Sequence, residues 1–100
     1  MDLKVSKQVH AKLKNKHQVS LDEVVEAIVN YSGVIFEDSR AQHKTKPPTI
    51  WYISETDDGR PLKLVFVATN PLTLKSAYQP SQAAIERFIQ SAQAAQGTQL

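Results

Sequence analysis

One turn constrains this chain more than any other feature. Asp57-Asp58-Gly59-Arg60 separates two β-like runs, Thr49 to Thr56 (TIWYISET) and Leu62 to Ala68 (LKLVFVA). Asp-Gly supplies the positive φ that tight hairpins demand, so the runs are predicted to fold back on each other as antiparallel neighbours. The second run is apolar on both parities except at Lys63, the pattern of a central strand buried on both faces. Asn70-Pro71 turns the chain into a further strand over Leu72 to Tyr78. Upstream, Gly33 to Ser39 (GVIFEDS) alternates weakly and is read as the first strand of the group. A polar loop follows it, in which Pro47-Pro48 stiffens the approach to an outer strand.

Helical signals flank this β region. Ser6 can cap a helix whose face is Val5, Val9 and Leu13 at i+4 spacing, with His17 at the C-terminal end of the stripe. Leu3-Lys4-Val5 reads either as a short strand or as the lead-in to that helix. Ser20-Leu21-Asp22-Glu23 is a capping box, and the following helix is expected to bury Leu21, Val24, Val25, Ile28 and Val29 before Ser32-Gly33 ends it. Pro80-Ser81 opens a last helix with Ala84, Ile85, Phe88, Ile89 and Ala92 on its inner side. The expectation is one domain over residues 1–100, with an ordered core of about 3–92 and a frayed C-terminal tail. Its fold class is α+β: a small antiparallel sheet (meander) with two N-terminal helices and one C-terminal helix.

Several chemistries are ruled out by residue usage. The chain has no cysteine, so it has no disulfide framework, thiolate zinc site or cysteine nucleophile. Its longest apolar run, Leu64 to Ala68, is far short of a bilayer span, and the charged N-terminus has no signal-peptide core. The reading is cytoplasmic, with no membrane partner. There is no glycine-rich phosphate loop, and His10, His17 and His43 lack metal-ligand spacing, so neither cofactor nor metal is expected. Charge is segregated: residues 1–17 hold five lysines against one aspartate, whereas residues 21–38 hold five acids and no lysine or arginine. A basic loop cluster of Arg40, His43, Lys44 and Lys46 follows. This pattern suits either a polyanion such as RNA or an ordinary solvated surface.

Four fragments carry a family resemblance: KHQVS (16–20), EDSRAQHKTKPPT (37–49), ETDDGRPLKLVFV (55–67) and KSAYQP (75–80). Over roughly residues 3 to 90 the chain resembles small bacterial proteins of the RelE/BrnT-type toxin superfamily. In BrnT-type toxins a KHGVS-like helix break precedes an acidic strand end. A Gly-Arg hairpin then leads into a hydrophobic strand, and an Ile-Ser-Ala-Arg-like strand precedes the last helix. Here the matching residues are Lys16 to Ser20, Glu37-Asp38, Gly59-Arg60 and Lys75-Ser76-Ala77, with Tyr78 standing where those toxins have arginine. The pattern ED-x-R-x-x-H-x-T-x-P-P-T-x-W, from Glu37 to Trp51, also resembles a set of small proteins often labelled ADP-ribosyl-(dinitrogen reductase) hydrolase. That activity goes with a carboxylate-bound magnesium cage, which the scattered acids here do not suit.

The resemblance implies a metal-independent endoribonuclease of a type II toxin–antitoxin system, acting on RNA or on the ribosome and held by a cognate antitoxin. The alternative, which Tyr78 favours, is a non-catalytic RNA- or protein-binding module of a mobile element on the same fold. Cleavage through the ribose 2′-OH needs a base, cations on the phosphate and an acid for the leaving oxygen. His17 and His43 are the acid–base candidates, because histidine titrates near neutrality. Arg40 and Arg60 would grip the phosphate as planar forks, and Tyr78 offers a phenol. Lys16, Lys44, Lys46, Lys63 and Lys75 are the candidate nucleic-acid contacts.

Each site residue also has a structural reading. His17 would cap a helix C-terminus as a partly charged imidazole. His43 would simply be exposed, Arg40 would pair with Asp38 or Glu37, and Arg60 would pair with Asp57 or Asp58. Tyr78 would pack under the last helix. Lys75 and Tyr78, three apart, fall on opposite strand faces unless a bulge intervenes.

Overall fold

The computed structural model describes residues 2–38 and 46–97. In chain order the elements are β1 (Leu3–Lys4), α1 (Lys7–Asn15), α2 (Leu21–Val29), β2 (Phe36–Glu37), β3 (Thr49–Glu55), β4 (Pro61–Val67), β5 (Leu72–Tyr78) and α3 (Gln82–Gly97). The fold is α+β, with two N-terminal helices and one C-terminal helix flanking a five-stranded sheet of order β1-β5-β4-β3-β2.

The predicted meander is present as β2-β3-β4-β5, but the sheet is mixed. β1 adds to the free edge of β5 in parallel, pairing Leu3 with Leu72 and Lys4 with Thr73. Two residues are too few to show a period, so the sequence leaves β1 undecided. Of the strand expected over Gly33 to Ser39, Phe36–Glu37 form β2, pairing with Trp51 and Ile50, and Ser39 lies outside the described residues. Gly33 lies in the left-handed region (φ 95°), outside the extended conformation that a strand requires. The β3–β4 hairpin is one residue longer than a two-residue turn. The Gly59 N–H donates to the Thr56 carbonyl and the Thr56 N–H to the Arg60 carbonyl, both at 2.9 Å. Gly59 takes φ 84°, as a type I turn with a left-handed third residue requires.

The inner face of the sheet packs against α1 and α2. Leu62, Leu64 and Phe66 of β4 join Tyr52, Leu74 and Ala77 there, under Leu13, Val19, Val24 and Ala27. The outer face is only partly covered, by α3, whose Phe88 meets Phe36 and Trp51. β4 is therefore central, as expected, but fully buried on one face and half-buried on the other.

A bulge on β5 decides which side chains share a face. Val65 pairs with Ser76 and Phe66 with Leu74, so Lys75 is the inserted residue. Leu74 and Ala77 consequently share the buried face, while Tyr78 turns outward opposite Lys63 and no longer shares a side with Leu74.

α2 also departs from its predicted face. Val24 and Ala27 are buried and Ile28 half-buried, whereas Leu21, Val25 and Val29 form an exposed stripe, with Val29 70% exposed. Five apolar positions span a wider arc than one sheet contact covers. The capping box forms as read: the Glu23 N–H donates to Ser20 Oγ, and the Ser20 N–H donates to Glu23 Oε1.

Between the helices Gln18 adopts φ 51°. The left-handed conformation costs an L-residue roughly 1–2 kcal/mol, and glycine's extra chain entropy returns roughly half of that. Gln18→Gly is therefore expected to raise stability by about 0.5–1 kcal/mol, read as a higher urea midpoint at unchanged slope.

Candidate functional site

The turn after α1 and the exit of the β3–β4 hairpin meet at one end of the sheet, joined by Arg60. Its Nη1 donates to both Glu23 carboxylate oxygens, at 3.1 and 2.9 Å, and to the Gln18 carbonyl at 2.9 Å. Its Nε donates to Gln79 Oε1 at 3.0 Å, and Nη2 makes a longer contact of 3.5 Å to the His17 carbonyl. The ion pair with Glu23 replaces the expected pairing with Asp57 or Asp58. Asp57 instead accepts from Asn30 Nδ2, and its own N–H donates to Glu26.

Glu23 serves two partners. The Ser20 N–H contributes most to holding its carboxyl below the usual range, and Arg60 adds to this against an opposing cost of partial burial.

Arg60 thus fixes the backbone that carries His17. The imidazole lies half-buried against Tyr78, with ring centroids 5.5 Å apart and planes inclined at 35°. Desolvation, then Lys12 and Lys16, lowers its pKa, so the neutral form is favoured. This argues against a charged imidazole capping the α1 C-terminus. His17 Nε2 is shielded from solvent and, among the described residues, has no hydrogen-bond partner.

From Tyr78 a line of rings and cations crosses the outer face. Lys63 Nζ lies 5.9 Å from the Tyr78 ring centroid and 4.4 Å from that of Trp51. Trp51 in turn lies 5.2 Å from Phe36 and 5.9 Å from Phe88. Another phenol, Tyr52, is buried on the opposite face of the sheet, and its pKa is pushed up to about 12 by burial and then by Tyr31.

The structure therefore brings His17, Arg60 and Tyr78 together and links them to Lys63. Lys16, Lys46 and Lys75 are exposed. Arg40, His43 and Lys44 lie outside the described residues. Among the described residues no group of three His, Asp or Glu side chains could hold a metal ion, and no helix is long and apolar enough to cross a membrane.

No protein-family model matches the chain, and no curated protein or solved structure matches it. A neutral imidazole beside a phenol pairs a proton acceptor with a proton donor; because Nε2 is shielded from solvent, a hydroxyl reaches it only once the Tyr78 ring or the turn carrying His17 moves aside. Sequence reasoning named His17 and Tyr78 separately but missed Glu23 and Gln79 as the partners that lock Arg60. The capping-box motif marked Glu23 as a helix residue and gave no sign of a second partner. Trp51, which the sequence marked only as the end of a family pattern, proves to be part of the outer face.

Proposed function

We propose that the protein is a metal-independent endoribonuclease of the RelE/BrnT-like toxin type, held in check by a cognate antitoxin. The observation that carries this reading is the unpartnered Nε2 of a neutral His17 set against Tyr78. A buried polar atom without a partner costs about 1–3 kcal/mol, and a substrate hydroxyl that bonds to it recovers that cost.

In this reading the Tyr78 ring swings aside to admit the ribose, and His17 takes the proton of its 2′-OH. The 2′-oxygen attacks phosphorus, and the bond to the 5′-oxygen breaks. The Tyr78 hydroxyl supplies a proton to that leaving oxygen, which gives a 2′,3′-cyclic phosphate and a 5′-hydroxyl. Lys63, with Lys16 beside His17, offsets the charge that develops on the phosphate. Arg60 is spent on Glu23, Gln18 and Gln79, so it acts as a positioning residue rather than as a phosphate fork. The element order and the fragments from Lys16 to Ser20 and from Glu55 to Val67 also support the reading.

RNA, with and without ribosomes, incubated with the protein in EDTA should be cut to products ending in a cyclic phosphate. His17→Ala and Tyr78→Phe should each lower the rate more than tenfold in a folded protein. Intact RNA under every condition refutes the proposal.

The second reading is an RNA-binding module without turnover. The engagement of Arg60 by Glu23 favours it, since no free guanidinium then faces the phosphate among the described residues near His17. RNA retention without cleavage, together with expression that leaves growth unaffected, selects this reading.

A further inference from the structure

We infer that the cleft between α3 and the outer face of β3 and β4 is a nucleotide subsite, taking one base of a single-stranded RNA together with its phosphate. The inference rests on the RNA-directed reading above and extends its contact surface across the sheet from the His17 site, with Lys63 shared between the two.

Two clefts flank the contact of α3 with the sheet, and Ile53 and Phe88 line both of them. The cleft on the hairpin side, about 740 Å³, is lined by Glu55 and Asp57 and, among the described residues, by no lysine or arginine. The other, about 350 Å³, is lined by Lys63 and Arg87 and, among the described residues, by no acid, with Phe36 and Trp51 in its wall. Opposite charges separated by one pair of apolar side chains select different ligands.

The basic cleft has the chemistry of a flat, π-rich anion. Lys63 holds its ammonium 4.4 Å over the Trp51 ring, a contact favoured by the ring quadrupole, and no carboxylate pairs with it among the described residues. Arg87 brings a second cation from α3. Trp51 and Phe36 are half-buried, unlike the sealed aromatic and aliphatic side chains of the inner face.

A purely apolar ligand has no use for two cations, and an acidic peptide has no use for the rings. Base stacking on aromatic side chains with adjacent Lys or Arg is the usual solution for single-stranded nucleic acid. Trp51 on β3 and Tyr78 on β5 are two strand spacings apart, roughly 10 Å. An RNA strand crossing the sheet therefore passes from this cleft to Tyr78 and His17.

Trp51 is the single tryptophan of the chain, so its fluorescence reports the cleft directly. The probe is a 2′-O-methyl adenosine hexanucleotide, which lacks the attacking hydroxyl and cannot be cleaved by the proposed route. Titration at low salt should quench Trp51 saturably. Arg87→Ala, at an exposed helix position, and Lys63→Met should each weaken binding at least fivefold and flatten its salt dependence. A glutamate hexapeptide should give no saturable change.

Absence of saturable quenching, indifference to both substitutions, or equal binding of the peptide overturns the subsite. Cleavage of RNA without Trp51 quenching sinks the subsite and leaves the nuclease standing. Quenching with no cleavage of ordinary RNA does the reverse.

Discussion

Phe66→Ala is expected to lower the unfolding free energy by about 3–5 kcal/mol, the range for truncating a fully buried aromatic ring. Phe66 is 1% exposed on the central strand, between Ile50 of β3 and Leu74 of β5. Its ring stacks on Tyr52 at 5.7 Å, beneath the layer that α1 and α2 supply. The void left by the ring cannot close, because strands hydrogen-bonded on both sides hold the backbone in place. A domain of this size has only about 5–15 kcal/mol in hand, so the loss is a large fraction of the total. Urea unfolding should show a much lower midpoint with an unchanged slope. Ile89→Ala, at a position 48% exposed on α3, should stay within about 0.5 kcal/mol.

The contrast between those two positions shows what a sequence displays. Leu62, Leu64 and Phe66 alternate with half-buried neighbours, and Asp58-Gly59 marks where the chain reverses, so β3, β4 and their pairing were legible. So was the capping box at Ser20 and Glu23, because its partners are three residues apart. Features set by distant parts of the chain were not. Nothing local says that Leu3 and Lys4 will join β5, or that Lys75 will be extruded as a bulge and turn Tyr78 outward. Nor does the helical period say which part of a five-residue apolar arc on α2 the sheet will cover.

The candidate site divides in the same way. His17 and Tyr78 were chosen for their chemistry, since imidazole and phenol are scarce proton carriers in this chain. Their meeting at 5.5 Å comes from tertiary packing, which no spacing rule encodes. The Glu23 partner of Arg60 was hidden for the same reason, whereas Asp57 and Asp58 looked available only because they are adjacent in sequence.

Arg60→Ala tests that junction and should cost about 2 kcal/mol at pH 7, since hydrogen bonds to charged groups contribute about 1.5–3 kcal/mol. The pH dependence identifies which of its contacts matters. Glu23 has a folded pKa below its unfolded one, so its stabilisation is fully present above the ordinary carboxylate value of about 4.3. That stabilisation is lost as pH falls through the depressed folded value. His17, also lowered on folding, acts in the same sense at higher pH: stability falls as pH drops below about 6.5, where the unfolded imidazole takes up a proton first.

The largest influence on Glu23, the Ser20 N–H, survives the substitution. Arg60→Ala should therefore reduce the acid-induced loss without abolishing it, and the gap between variant and parent should narrow towards pH 3. A gap that stays constant with pH would place the stabilisation in the hydrogen bonds to Gln18 and Gln79 instead. Arg60→Lys separates charge from shape. It keeps the cation near Glu23 but cannot also reach Gln18 and Gln79 in one planar fork, so it should recover part of the pH-dependent stability. On the proposed nuclease reading, RNA cleavage should also stay depressed in both variants with little change in KM, because the loop carrying His17 has lost its anchor while the basic face remains intact.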